Sequence, residues 1–153
     1  MRRKAVATLG AIAAVGALAM GAADAQAVPA ERALSVEQVP NAGVTIDSNR
    51  VTGGFAAGIL ASAIEPGVTR IALNTTPTEA CATNLAGARV GISWSNTTTG
   101  TSGDEVFAAC TDGRPSDGVD VVTGTGSIEF TTTILGKGDQ TFTVVPGSGS
   151  FTR

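Results

Sequence analysis

The residue types that could carry catalysis are scarce, because this chain of 153 residues contains no His and only two Cys. Without His, neither a Ser-His-Asp nor a Cys-His nucleophile can be assembled, and the commonest zinc ligand is missing. A Lys nucleophile is disfavoured as well, since Lys137 lies in a Gly-Lys-Gly-Asp turn and a catalytic Lys needs burial. The Gly-x-Gly pairs join strand-like segments without a following helix, so they do not form a phosphate-binding loop.

Paired carboxylates remain as a catalytic option, because a glycoside hydrolase needs two Asp or Glu side chains at a set separation. Four acidic residues are candidates by type: Glu79, Asp104, Glu105 and Glu129. Each also fits a solvated loop or strand position, and a sugar site usually adds an aromatic platform. The aromatic residues all lie in apolar patterns that suit a core instead: Phe55, Trp94, Phe107, Phe130, Phe142 and Phe151. We therefore predict that the protein is not an enzyme.

One acidic segment could bind a cation. Asp112, Asp117 and Asp120 lie within nine residues, and calcium takes carboxylate and carbonyl oxygens from flexible loops. Their spacing is not that of an EF-hand, and two Asp-Gly pairs beside a Pro are typical of turns. We expect a turn and no cofactor, and we keep a calcium site as the alternative.

The first 27 residues have the order of a secretory signal peptide. Residues 2–4 are basic, residues 5–23 are uncharged and apolar, and Ala25-Gln26-Ala27 follows as a small-x-small cleavage site. We predict cleavage after Ala27, with Ala30 as the second choice. A retained anchor is the alternative, because 19 apolar residues can span a bilayer of about 30 Å.

Export changes the charge and the partners to be expected. Removal of residues 1–27 leaves 126 residues with seven basic and twelve acidic side chains, a net charge of −5. The basic residues are scattered singly, so we predict no binding to nucleic acid, and none to membranes once the signal is removed. The Ala-rich signal suggests a bacterial protein of the cell envelope or the medium, whose partner the sequence does not reveal.

The two cysteines, Cys81 and Cys110, are predicted to form a disulfide, because exported chains meet an oxidising compartment. Closing a loop of about 30 residues would stabilise the fold by about 3–4 kcal/mol in the chain-entropy model. Two buried free thiols are the alternative, and a metal site without any His is a more remote one.

The mature chain reads as an N-terminal arm, residues 28–40, followed by one β domain, residues 41–153. Period-two alternation predicts strands at residues 44–46, 68–73, 90–94 and 106–111. Residues 53–64 are ambiguous: apolar spacing favours a short helix or an irregular segment, whereas three Gly residues favour strands. The C-terminal third predicts four strands, at residues 119–123, 127–135, 140–145 and 150–152. Their short Gly-rich connections predict hairpins and an antiparallel meander.

These strands predict an all-β fold, a small antiparallel β-sandwich with one disulfide. A Cys pair bracketing the strand that carries Trp94 resembles the immunoglobulin-like architecture. The spacing from Cys81 to Cys110 is short for the usual bridge between sheets, and Tyr is absent. We therefore predict the architecture without assigning a family.

The function that these observations favour is a small exported, non-catalytic sandwich that acts as a structural or interaction module. One alternative is a carrier of a small apolar ligand, with an interior lined by small residues: Ala56, Ala57, Gly58, Ala61 and Ala63. The same residues could equally allow close backbone packing. A second alternative is an envelope channel subunit, suggested by the alternating strands.

Overall fold

A computed structural model describes residues 30–76, 78–136 and 141–153, with the backbone alone for residues 141–144. The predicted signal peptide with its Ala27 site, and Lys137, lie outside the described residues. The described strands, in chain order, are β1 Arg32–Ala33, β2 Val36–Val39, β3 Asn41–Asp47, β4 Arg50–Glu65, β5 Val68–Thr76, β6 Arg89–Asn96, β7 Ser102–Ala108, β8 Cys110–Thr111, β9 Arg114–Pro115, β10 Val119–Val122, β11 Ser127–Leu135, β12 Thr141–Val145 and β13 Gly147–Thr152. A 3-10 helix, Thr78–Ala82, follows β5.

Two antiparallel sheets form the sandwich, which confirms the predicted all-β class. Sheet A has the order β10-β5-β4-β3-β12, and β1 pairs with the end of β4 beyond β3. Sheet B has the order β2-β13-β11-β6-β7, and β8 pairs with β9 separately. The residues of the predicted N-terminal arm supply β1 to sheet A and β2 to sheet B.

Residues 53–64 form most of β4, so the expectation of a short helix or irregular segment was wrong. Burial alternates with period two along the strand, because Phe55, Ala57, Ile59 and Ala61 face the core and their neighbours face outward. The apolar residues of this segment fit both the helical period of 3.6 and the strand period of two. The segment is a strand because it pairs with β3 on one side and β5 on the other. A Cβ at position 58 would lie 3.1 Å from the side-chain amide nitrogen of Gln38, so glycine at this position leaves room for the Gln38 side chain.

The C-terminal strands do not form the predicted meander. β10 and β12 belong to sheet A, whereas β11 and β13 belong to sheet B, so consecutive strands lie in different sheets. Short glycine-rich connections between alternating strands are compatible with a hairpin within one sheet and also with a connection between two sheets. The face pattern itself was correct: Ile128, Phe130 and Ile134 are buried, and Glu129 is exposed.

Two chain segments change sheets side by side at prolines. β2 passes into β3 at Pro40, and β12 passes into β13 at Pro146; β2 pairs with β13, and β3 pairs with β12. Asn41, fully buried, joins the segments at this point. Its amide donates to Thr132 Oγ1 (2.7 Å) and to the Ala57 carbonyl (3.2 Å), and its Oδ1 accepts from the Gly147 amide (2.9 Å).

The core lies between the two sheets and contains the aromatic residues expected there. Five of them are at most 8% exposed: Phe55, Trp94, Phe107, Phe130 and Phe151. The side chain of Phe142 is not described. The predicted disulfide is confirmed, with an S–S distance of 2.01 Å between Cys81 and Cys110. It links the 3-10 helix to β8, outside both main sheets.

Candidate functional site

The outer face of sheet B carries a shallow groove of about 550 Å³. Three adjacent strands, β6, β11 and β13, supply the outward side chains that line it: Ser93, Ser95, Glu129, Thr131, Ser148 and Ser150. We call these six residues the polar groove. The side chains alternate across the sheet along each strand, so the outward positions are polar while the positions between them are buried.

The strand register arranges the polar groove in two rows. Glu129 pairs with Ser95 on one side and with Ser150 on the other, and Thr131 lies between Ser93 and Ser148 in the same way. Neighbouring strands are about 4.8 Å apart, so each row offers three hydrogen-bonding side chains within about 10 Å. A ligand lying across the strands could therefore contact several of them at once.

Two more carboxylates flank the polar groove. Glu37 on β2 pairs with Ser150, and Asp104 on β7 accepts a hydrogen bond from Ser93 Oγ at 2.5 Å. Arg89, on β6, is the one basic residue in the five strands of sheet B, and it pairs with Leu135 at the far end of the face. The face is consequently acidic, with hydroxyl groups between its carboxylates.

Packed aromatic residues of the core lie directly beneath the polar groove. Trp94 and Phe130 are paired residues of the buried row, and the rings of Phe130 and Phe151 lie 6.1 Å apart. Gly149 continues this row on β13, where a Cβ would lie 2.8 Å from Phe130 Cζ. Packed aromatic rings hold strands in fixed relative positions, so the groove side chains stand on a rigid base.

The acidic residues considered for glycoside hydrolysis are dispersed. Glu79 lies in the 3-10 helix, and Glu105 faces the opposite side of β7 from Asp104 because the two are consecutive in the strand. Asp104 and Glu129 share the outer face of sheet B but are separated by β6 and by one row. The positions paired with Glu129 are Ser95 and Ser150, and Glu37 lies in the same row, one strand beyond Ser150.

The calcium candidates do not converge. Asp112 lies in the turn between β8 and β9, and together with Asp117 it lines a surface depression of about 450 Å³. Asp120 lies on β10 and instead accepts hydrogen bonds from Arg70 at 2.7 and 3.0 Å, which lower the pKa of its carboxyl below the usual value. Among the described residues, no three His, Cys, Asp or Glu side chains are close enough together to hold a metal ion.

The small residues considered for a carrier are divided between two faces. Ala57 and Ala61 are at most 3% exposed and pack in the core between the sheets. Ala56 and Gly58 alternate with them and face outward from sheet A. Ala57 and Ala61 therefore contribute to the packed core, and Gly58 lies beside the Gln38 side chain.

Reasoning from sequence did not identify the polar groove. Its local signal was present, because Ser93 and Ser95 alternate with buried residues on β6, as Ser148 does on β13. The pattern could not show that β6, β11 and β13 are neighbours, since the order of strands in a sheet is not encoded in any one of them.

No helix within residues 30–76, 78–136 and 141–153 is long and apolar enough to cross a membrane. Comparison of the chain with protein-family models, with curated proteins and with solved structures found no match.

Proposed function

We propose that the protein is a small exported, non-catalytic β-sandwich that acts as an interaction module of the bacterial envelope or the surrounding medium. The polar groove on sheet B is the surface that binds its partner. The observation that supports this proposal is the convergence of five hydroxyls and one carboxylate, from three adjacent strands, on one open groove over a packed core.

The side chains of the polar groove favour a partner that donates hydrogen bonds. A carboxylate such as Glu129 only accepts hydrogen bonds, and Ser and Thr hydroxyls both donate and accept. With Glu37 and Asp104 at its sides, the groove repels phosphate and sulfate groups and suits hydroxyl, amide or ammonium groups. A sugar polymer rich in hydroxyl groups, or a basic protein segment, has this chemistry.

Export is supported by the predicted signal peptide and by the single disulfide. The disulfide between Cys81 and Cys110 belongs to an oxidising compartment, because reducing cytoplasms keep such pairs open. The cavity expected of a carrier gains no support from Ala57 and Ala61, which are packed in the core.

The test is a pull-down in which the purified processed protein is immobilised and exposed to the envelope fraction of its own organism. The Thr131→Tyr variant fills the groove from the middle of β11, and Glu129→Gln removes its carboxylate. We expect wild-type protein to retain one dominant component, and both variants to retain at least about tenfold less of it.

Matched controls separate the groove from general surface effects. Thr111→Tyr adds the same bulk at an exposed position on β8, and Glu79→Gln removes an exposed carboxylate from the 3-10 helix. Both controls should bind like the wild type. Equal binding by Thr131→Tyr and wild type would exclude the groove, and a specific, saturable hydrolytic activity of the pure protein would exclude the non-catalytic assignment.

A further inference from the structure

Three exposed carboxylates on the outer face of sheet B form a line across its strands. Glu37 is on β2, Glu129 on β11 and Asp104 on β7, and one strand separates each from the next. Glu37 and Glu129 share a row on either side of Ser150, and Asp104 lies one row further along, beside Ser93. Because neighbouring strands are about 4.8 Å apart, these positions follow each other at about 10 Å and about 12 Å. We call the three carboxylates the carboxylate track.

The carboxylate track has no basic partner on its own face. In the described part of the chain, the ion pairs are those that Arg70 makes with Glu31 and Asp120 on sheet A. Arg89, the one basic residue in the five strands of sheet B, lies four positions along β6 from Ser93, which is about 14 Å. This distance exceeds the screening length of about 8 Å at physiological salt. A positively charged partner is therefore the one that this face attracts.

Hydroxyl groups occupy the positions between the carboxylates. Ser150 lies between Glu37 and Glu129, and Ser93 and Ser95 lie on β6, which separates β11 from β7. Hydroxyls both donate and accept hydrogen bonds, whereas a carboxylate only accepts them. The surface can therefore pair with the N–H and C=O groups of a peptide main chain as well as with cationic side chains.

The spacing of the carboxylate track distinguishes between peptide conformations. A polyproline II helix has three residues per turn and rises about 3.1 Å per residue, so every third side chain points the same way at intervals of about 9.3 Å. Side chains on one face of a β-strand recur at about 6.8 Å, which does not match the interval of about 10 Å. An α-helix repeats at about 10.5 Å over seven residues, but its main chain is already hydrogen-bonded internally and would leave the hydroxyls without partners. The polyproline II conformation meets both requirements.

We infer that the partner of the polar groove is a protein segment in the polyproline II conformation that carries Lys or Arg at every third position. This inference rests on the proposed binding role of the groove and names the partner. The segment lies across the strands, with successive cationic side chains at Glu37, Glu129 and Asp104. Domains that bind polyproline II segments commonly use grooves lined with aromatic residues, but Trp94 and Phe130 here are at most 8% exposed. The cationic side chains are therefore the recognised feature, and the hydroxyls bind the main chain.

Fluorescence anisotropy of labelled peptides, with the processed protein at about 50 mM salt, tests the inference. The spaced peptide has four Lys-Pro-Pro repeats, and its isomer has the same four Lys and eight Pro with all Lys at one end. We expect the spaced peptide to bind with a Kd of about 0.1–1 mM, since exposed ion pairs are individually weak, and the isomer to bind at least about fivefold more weakly. About 500 mM salt should weaken binding of the spaced peptide at least about fivefold, because it screens the ion pairs.

Two double variants separate the carboxylate track from net charge. Glu37→Gln with Glu129→Gln should weaken binding of the spaced peptide at least about tenfold. Glu79→Gln with Asp112→Asn removes two exposed carboxylates elsewhere and should bind it like the wild type. All four positions are exposed, and an unchanged Tm checks that each variant folds; Glu129→Gln alone is the second choice. Equal binding of the spaced peptide and its isomer, or equal losses in the two double variants, would overturn the inference.

Failure of this inference can be told apart from failure of the proposed function. If Thr131→Tyr abolishes capture of an envelope component by the groove while the spaced peptide does not bind, the groove has a partner and the cationic segment is not that partner. Tighter binding of a glucosamine oligomer than of the spaced peptide would also overturn the inference, because the occupant would then be an amino-sugar polymer.

Discussion

Substitution of Asn41 by alanine tests how the two sheets are joined. Asn41 is fully buried at the point where β2 passes into β3, and its side chain holds β4, β11 and the start of β13 together. Alanine removes the side-chain amide without changing the backbone preference severely. Gly147 contributes to this site because a Cβ there would lie 2.6 Å from Thr132 Oγ1 and 2.9 Å from Asn41 Nδ2, so a side chain at this position would not fit beside the amide.

The expected loss follows from the groups that Asn41→Ala leaves unpaired. The Gly147 amide and the Thr132 hydroxyl are buried, and each would lose its hydrogen-bond partner at a cost of about 1–3 kcal/mol. The total is about 4 kcal/mol, a large share of the about 5–15 kcal/mol typical of a domain. For a chain of this length that corresponds to a fall in Tm of about 10–20 °C.

Urea unfolding of wild type and variant, followed by tryptophan fluorescence, measures the loss. Asn74→Ala is the control, because Asn74 is exposed on β5 and its removal should change the free energy of unfolding by less than about 0.5 kcal/mol. Thr132→Val should be less destabilising in the Asn41→Ala background than in wild type, since the orphaned hydroxyl disappears. A loss below about 1 kcal/mol for Asn41→Ala, or the absence of this coupling, would refute the role assigned to the amide.

Three further predictions concern the ends and edges of the sandwich. Reduction of the disulfide should lower the free energy of unfolding by about 3–4 kcal/mol, measured as a shifted urea midpoint; an unchanged midpoint contradicts this. Gly118→Ala should destabilise by at least about 2 kcal/mol more than Gly100→Ala in thermal unfolding. Both glycines have positive φ, but only at 118 would a Cβ meet the Ile71 carbonyl oxygen, at 2.0 Å. The hydrogen bonds from Arg70 lower the pKa of the Asp120 carboxyl in the folded protein. The ionised carboxylate therefore stabilises the fold above the unfolded-state pKa of about 3.9, and this stabilisation is lost as the pH falls through the lower folded-state pKa. The stability difference between wild type and Asp120→Asn should therefore shrink between about pH 5 and pH 2, and a constant difference would contradict the pairing.

The candidate site shows where prediction from sequence ended. The alternation of Glu129 and Thr131 with buried neighbours could be predicted from the sequence, because side chains of a strand point to opposite faces with a period of two. The neighbours of these two residues, Ser95 and Ser150, lie 34 and 21 positions away in the chain. Pairing at such distances depends on the packing of the whole core.

The sequence by itself determined the all-β class, the disulfide, the aromatic core and the outward polarity of β6 and β11, because each depends on residue type and local period. Only the tertiary structure decided that β4 is one long strand, and that consecutive C-terminal strands lie in different sheets instead of forming hairpins. Local patterns satisfied both alternatives in each case. The choice came from burial between the sheets and from hydrogen bonds that join distant segments, such as those of Asn41. The same packing placed the hydroxyls and the carboxylate of the polar groove side by side on the outer face of sheet B.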